Sequence, residues 1–367
     1  MAIPLVDLKA QLKTIHAEVQ VGMARVLENT NFILGKEVAE FEEAFAGFTA
    51  TAHCVGVANG TDAIELLLRS VGIGPGDEVI LPTNTFIATA LAVTRAGATP
   101  VLVDCDPLYY LLDPKAVEAA IGPRTRAILP VHLFGQLAPM EVISELAKSR
   151  NLLVVEDAAQ SQGASRNGKQ PAHWGVGAAT SFYPGKNLGA FGDAGAVCTN
   201  SEGLAKKVRA LRNYGSEVKY HHPEVGFNSR LDTLQAVVLK AKLAHLARWN
   251  AQRREAAQRY SELLEGRDDV VLPEILPGNE HIWHIYAVRV PRRDVVLKAL
   301  NAAGIGAGIH YPVPVHLQGA FQHLGHKPGD FPVAEKAAAE MISLPMFPEL
   351  TASQQAQVAS ELVRALA

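Results

Sequence analysis

From His53 to Glu156, short runs of aliphatic and β-branched residues alternate with amphipathic stretches, and few folds accommodate that alternation. Residues 53–58 read as a buried strand. A helix opens after it at Asn59-Gly60-Thr61 and sets Ala63, Ile64, Leu67, Leu68 and Val71 on one face. A turn at 74–77 leads into strand 78–81, and helix 85–96 is stopped by Gly97. Strand 99–103 follows, then a helix begun by Pro114, strand 126–130, helix 139–149 and strand 152–156. Strands buried on both faces and joined by helices predict an α/β domain with a mostly parallel sheet.

The flanking segments are more helical. Leu12, Ile15, Val19, Met23, Val26 and Leu27 recur at helical spacing over 9–29, and a second helix is expected over 36–48. Further on, strand 194–199 and helix 202–211 precede a stretch, 231–264, without proline or glycine and largely helical. Strand 285–290, helix 294–303, a glycine- and proline-rich loop over 304–316 and a final helix over 350–366 complete the reading. A chain of 367 residues is long for one core and predicts two domains, 1–245 and a smaller α+β domain, 246–367.

Composition excludes several classes. A net charge of -3 and no basic run give no footprint for nucleic acid. No apolar stretch reaches the roughly 20 residues of a spanning helix, and the first residues lack a signal-peptide pattern. Cys54, Cys105 and Cys198 lie far apart in apolar runs, as reduced core thiols of a cytoplasmic protein do. The histidines form no ligand spacing, since His281 and His284 are expected in a strand with opposite facing, so no metal is expected.

One lysine stands apart. Lys186 sits in Ser181-Phe-Tyr-Pro-Gly-Lys-Asn-Leu-Gly-Ala190, a glycine-rich turn between two strand-like runs. A lysine in a loop is ordinarily a solvated surface residue. Glycines on both sides fit a backbone bent around something bound, and a lone amine in a closed site suits Schiff-base formation, above all with pyridoxal phosphate (PLP). Other residues fall where open α/β sheets bind ligands, beyond the carboxyl ends of strands. Gly60 and Thr61 open a helix whose N-terminus suits a phosphate. Phe86 follows the second strand and could stack on a flat ring. Asp157 ends a buried strand, where a carboxylate needs a facing cation such as a pyridinium. Ser181 could add a hydroxyl to the phosphate, and a hairpin is expected between Asp157 and Lys186. Singly, a helix cap, a core aromatic and a loop lysine would explain them; in this order on one domain they point to a PLP site.

Further blocks carry a family resemblance: Ala58-Asn-Gly-Thr-Asp-Ala-Ile64, Leu81-Pro-Thr-Asn-Thr-Phe86, Pro130-Val-His-Leu-Phe-Gly-Gln136, Glu156-Asp-Ala-Ala-Gln160, Gly226-Phe-Asn-Ser-Arg230 and His310-Tyr-Pro-Val-Pro-Val-His316. With the Lys186 block, these resemble the DegT/DnrJ/EryC1/StrS family of PLP-dependent nucleotide-sugar aminotransferases, almost end to end. The resemblance implies an aspartate-aminotransferase-like (PLP type I) fold with PLP or its amine form as cofactor. It implies Lys186 as the Schiff-base lysine and proton carrier, Asp157 on the ring nitrogen, Gln160 on the phenolic oxygen and Phe86 over the ring. Gly60, Thr61 and Ser181 would hold the phosphate, with Asn228 reaching the phosphate of a neighbouring subunit in a homodimer with shared sites. Tyr183, Arg230, Tyr311 and His316 would border the substrate. Val176-Gly177 and Asp193-Ala-Gly195 depart from the family's usual Gly-Asp and Asp-Gly-Gly.

The activity implied is transfer of an amino group from an amino acid, glutamate, to C-3 of a dTDP-linked 3-keto-6-deoxyhexose. Transfer at C-4 or to a UDP-linked 3-keto sugar is the alternative. A PLP-dependent sugar dehydratase is a further one, although such relatives carry histidine at the position of Lys186. A catalytically silent PLP-binding regulator is the last.

Overall fold

The computed structural model describes residues 2–367. Helices α1 (Leu8–Asn29) and α2 (Lys36–Thr49) come first. The expected alternation then follows as β1 (His53–Val57), α3 (Gly60–Ser70), β2 (Glu78–Pro82), α4 (Ile87–Ala96), β3 (Thr99–Val103), α5 (Pro114–Ala120), β4 (Thr125–Ile128), α6 (Met140–Ser149) and β5 (Leu153–Asp157). A short β6 (Ser165–Arg166) precedes β7 (Gly177–Ser181), β8 (Gly195–Thr199), α7 (Glu202–Leu211) and the long α8 (Thr233–Leu264). The remainder comprises β9 (Asn279–Glu280), β10 (Tyr286–Arg289), α9 (Arg293–Ala302), α10 (Pro332–Glu340), β11 (Met341–Leu344) and α11 (Ala352–Leu366).

The main sheet has seven strands in the order β1-β8-β7-β5-β4-β2-β3. Only β8 runs against its neighbours, so the sheet is mixed and mostly parallel. Its strands read as unbroken apolar runs because both faces are covered. Along β2, Val79 and Leu81 enter one core, shared with α3 and α4, while Ile80 enters another, shared with α6. Local chemistry sets the helix ends. Gly97 takes a positive φ of 93° to end α4, a conformation without cost for glycine. Asp113 caps α5 by accepting from the Lys115 N–H, with Pro114 as its first residue.

Helix α8 crosses residue 245 without a break. Ala236, Leu239 and Leu246 pack beneath β1 and β8, whereas Ala256, Ala257, Tyr260 and Leu264 join a core built with β10, β11, α9 and α11. The N-terminus belongs to that second core: the Ile3 N–H donates to Gly304 O (2.9 Å), and the Gly306 N–H donates to Ile3 O (2.7 Å).

Two local expectations are corrected. The hairpin between Asp157 and Lys186 shrinks to an Asn167-Gly168 turn with φ of 48° and 76°, and its strand β6 pairs with β9 instead. Residues 281–284 are irregular rather than strand, with Trp283 at a φ of 49°.

Candidate active site

The carboxyl ends of β1, β2, β5 and β7 lie at one edge of the sheet, because those strands share one direction. A cavity of about 580 Å³ opens there. Lys186, Asp157, Gly60, Thr61, Phe86, Gln160, Ser181, Tyr183 and Tyr311 all line it.

Lys186 sits on the turn between β7 and β8. Its N–H donates to Tyr183 O (2.8 Å), and the Ala190 N–H closes the turn onto Phe182 O (2.7 Å). A Cβ at Gly189 would collide with the Pro184 carbonyl, so the tightness of this turn requires glycine. The next residue, Asn187, is buried and donates to Asn250 Oδ1 (2.9 Å) and Ile282 O (3.1 Å). Its own oxygen therefore faces His284 Nδ1 at 3.1 Å. Burial lowers the Lys186 ammonium from 10.5 to about 8, with Asp157 pulling the other way. Burial alone depresses it: among the described residues the one charged neighbour acting on it is the Asp157 carboxylate.

Asp157 ends β5 and is 4% exposed. Its Oδ1 accepts from the Ala159 N–H (3.0 Å), and its Oδ2 from the Thr89 hydroxyl (2.8 Å). Burial pushes its carboxyl up from the ordinary value, against these two donors and the charge of Lys186. The chain's own groups thus leave this carboxylate short of compensation, which a facing cation would supply.

The end of the cavity beside α3 is built by backbone. Asn59 Oδ1 accepts from the Asp62 N–H (2.8 Å), while the first two amides of α3, on Gly60 and Thr61, have no acceptor within the helix. A Cβ on Gly60 would lie 2.5 Å from Ser181 Cβ, so glycine is what lets the hydroxyl of Ser181 approach this helix end. Phe86 and Tyr311 meet with ring centroids 5.1 Å apart. Gln160 Oε1 accepts from the Phe134 N–H (2.6 Å), and its Nε2 donates to Tyr311 Oη (3.0 Å).

Three expected residues lie elsewhere. Asn228 and Arg230 line a neighbouring cavity of about 570 Å³, which shares Asn59 and Asp193 with the first. His316 is fully buried between Thr83 and Glu335 and lines neither cavity. Conversely, His284, His310 and Thr89 line the site without having been singled out. His310 stood inside a quoted block, and Thr89 lies three residues after Phe86 on a helix, hence on the same side. Burial lowers His310 to about 4, so its ring is neutral, and its Nδ1 lies 2.8 Å from Ser343 Oγ.

An amine of depressed pKa, an under-compensated carboxylate, a helix N-terminus with free amides and an aromatic wall fit PLP from ring to phosphate. Fold and site together define a PLP-dependent aminotransferase. A model of the DegT/DnrJ/EryC1/StrS aminotransferase family matches residues 13–363, and the chain belongs to that family.

Its relatives carry several names. The dTDP-3-amino-3,4,6-trideoxy-alpha-D-glucose transaminase of Streptomyces venezuelae is 48% identical over 97% of this chain and 94% of its own. The UDP-N-acetyl-3-dehydro-alpha-D-glucosamine 3-aminotransferase of Acidithiobacillus ferrooxidans is 48% identical over 100% and 98%. A pleiotropic regulatory protein of Geobacillus stearothermophilus is 46% identical over 99% and 98%. Among solved structures, S. venezuelae DesV in complex with a ketimine intermediate superposes with a TM-score of 0.97 at 47% identity, covering 99% of this chain and 98% of that one. The Bacillus subtilis NtdA structure with bound PMP does so with a TM-score of 0.90 at 31% identity, covering 99% and 83%.

Proposed function

We propose that this enzyme transfers an amino group from L-glutamate to the C-3 keto group of a dTDP-linked 3-keto-6-deoxyhexose, yielding 2-oxoglutarate and a 3-aminosugar. What carries the reading is the meeting of Lys186 and Asp157 in one cavity with the free amides of α3. Near-full-length likeness to a transaminase named for a dTDP-3-amino sugar supplies the substrate class. A UDP-linked 3-keto sugar is the second reading, favoured by the equally similar Acidithiobacillus enzyme.

PLP, when bound, supplies a ring that withdraws the electrons left behind when a proton leaves the amine-bearing carbon. The chain's residues do the rest. Lys186 Nζ would hold the cofactor and, once free, would take that proton and return it two atoms along, which an amine with a pKa of about 8 can do near neutral pH. Asp157 keeps the ring nitrogen protonated, with Thr89 and Ala159 aiming its two oxygens. Gly60, Thr61 and Ser181 bind the phosphate, and Phe86 covers the ring. Tyr183 and Tyr311 border the sugar nucleotide.

The enzyme acts as a homodimer in which Asn228 and Arg230 complete the partner's site. Support comes from the second cavity, from an Arg230 Nε that is buried without an acceptor, and from exposed Phe32, Ile33 and Phe191. Three free, buried thiols suit the cytoplasm.

The test supplies purified enzyme with PLP, glutamate and a panel of keto-sugar nucleotides, and follows the aminated product by mass. Amination of the dTDP-linked 3-keto sugar at the highest kcat/KM is expected. Preference for a 4-keto sugar, or for a UDP-linked one, would overturn the specific assignment.

A further inference from the structure

Two segments run side by side next to the cavity: 83–86, from the end of β2 to Phe86, and 311–316, from Tyr311 to His316. They touch at both ends. At one end the Phe86 and Tyr311 rings meet, 5.1 Å between centroids. At the other, the Val315 N–H donates to Thr83 O (2.8 Å), the His316 N–H donates to Thr83 Oγ1 (3.3 Å), and Thr83 Oγ1 lies 2.9 Å from His316 Nδ1.

The hydrogens follow from the partners. His316 Nε2 is 3.1 Å from Glu335 Oε1, and a carboxylate only accepts, so Nε2 carries the proton. A neutral ring then offers a lone pair at Nδ1, and the Thr83 hydroxyl donates to it while accepting from the backbone. Glu335 is anchored in turn by the N–H groups of Gly329 (2.8 Å) and Phe331 (3.3 Å). One tautomer satisfies every group, in a place closed to solvent.

The geometry points to Thr83, His316 and Glu335 as a positioning set that holds the 311–316 segment in place, and with it Tyr311 as the wall of the slot taking the sugar ring of the nucleotide-linked substrate. This rests on the sugar-nucleotide reading above. None of the three lines the cavity, so they act through Tyr311. Asp157 ends β5 and Lys186 sits on the turn between β7 and β8, so neither is carried by these two segments.

The experiment uses the PLP-loaded enzyme and measures the glutamate and sugar half-reactions separately. Thr83→Val keeps the shape and removes the hydroxyl. It is expected to raise the KM for the keto-sugar nucleotide about tenfold, with kcat and the glutamate KM within about twofold of wild type. Thr83→Ser, which keeps the hydroxyl, restores the wild-type KM. Glu335→Gln, a milder lesion should Thr83→Val misfold, gives a smaller rise in the same direction. An unchanged sugar KM in Thr83→Val, equal losses in both half-reactions, or no rescue by serine would overturn the positioning role while wild type still turns over sugar. A wild-type enzyme inert toward every keto-sugar nucleotide would instead remove the functional reading, and this inference with it.

Discussion

Thr89 Oγ1 donates to Asp157 Oδ2 at 2.8 Å, from the first turn of α4 onto the last residue of β5. Thr89 spends its one hydrogen there, so the 2.8 Å contact with Thr85 has Thr85 as donor. Two hydroxyls in series therefore aim the carboxylate that we propose answers the ring nitrogen. Thr89→Val removes the donor without changing shape and lets burial push the Asp157 carboxyl further up. A hydrogen bond to a charged group contributes about 1.5–3 kcal/mol, so PLP affinity should fall roughly tenfold or more. Titration of cofactor absorbance measures it, and Thr89→Ser should bind nearly as wild type does.

Lys186 sets a pH dependence. Its folded pKa, about 8, lies below the ordinary 10.5 because burial disfavours the charge. In the sugar half-reaction the lysine is free and must be neutral to accept a proton, so the rate should rise with pH through about 8. Stability of the cofactor-free protein carries the same signature. Between about 8 and 10.5 the unfolded chain holds more protons at this site, so stability from this group rises with pH across that window, with its penalty fully present below it. Comparing wild type with Lys186→Met by Tm from pH 7 to 10 isolates the effect. Lys186→Ala should lower turnover by at least about a thousandfold while leaving the fold intact.

Asn228 tests whether the site is shared. It is exposed and lies in the second cavity, beside Asn59 and Asp193. In a dimer that completes its sites by exchange, Asn228→Ala loses a donor to the partner's phosphate, and PLP release should speed up about tenfold or more. Wild-type retention of the cofactor would mean that each protomer binds it alone.

Much of this was legible because parallel strands covered on both faces leave a strong trace. The run 152–156 places Asp157 at a strand end, and the glycines around Lys186 mark a turn that only small residues can make. Strand β11 left no trace: its four residues continue the Ala-rich pattern of α10 with no turn residue between them. His316 shows a different limit. A block can place a residue beside the site, yet ring orientation depends on Thr83 and Glu335, which lie 233 and 19 positions away. The apolar neighbours of His284 read as a strand, and the irregular path through Trp283 brings it to Asn187.

His132 and Glu156 form a buried pair directly behind the site, both with fully buried side chains. The Ala138 N–H donates to His132 Nδ1 (3.2 Å), which leaves the proton on Nε2, donated to Glu156 Oε2 at 3.0 Å. Glu156 Oε1 accepts from the N–H groups of Ala172 (3.0 Å) and Gly175 (3.1 Å), tying down the segment that leads to β7. The backbone of His132 is bonded to Asp157 O at 3.0 Å, so the pair also fixes the carboxylate's own residue. His132→Leu fills the space but leaves one oxygen of a buried carboxylate without its donor, a change that costs about 1–3 kcal/mol. The urea midpoint of the cofactor-free protein should drop accordingly, and PLP affinity should fall with it as β5 loosens at Asp157. Glu156→Gln keeps two acceptor bonds and should cost about 1–3 kcal/mol. A His132→Leu protein as stable as wild type would mean that the amides of Ala172 and Gly175 alone hold this carboxylate.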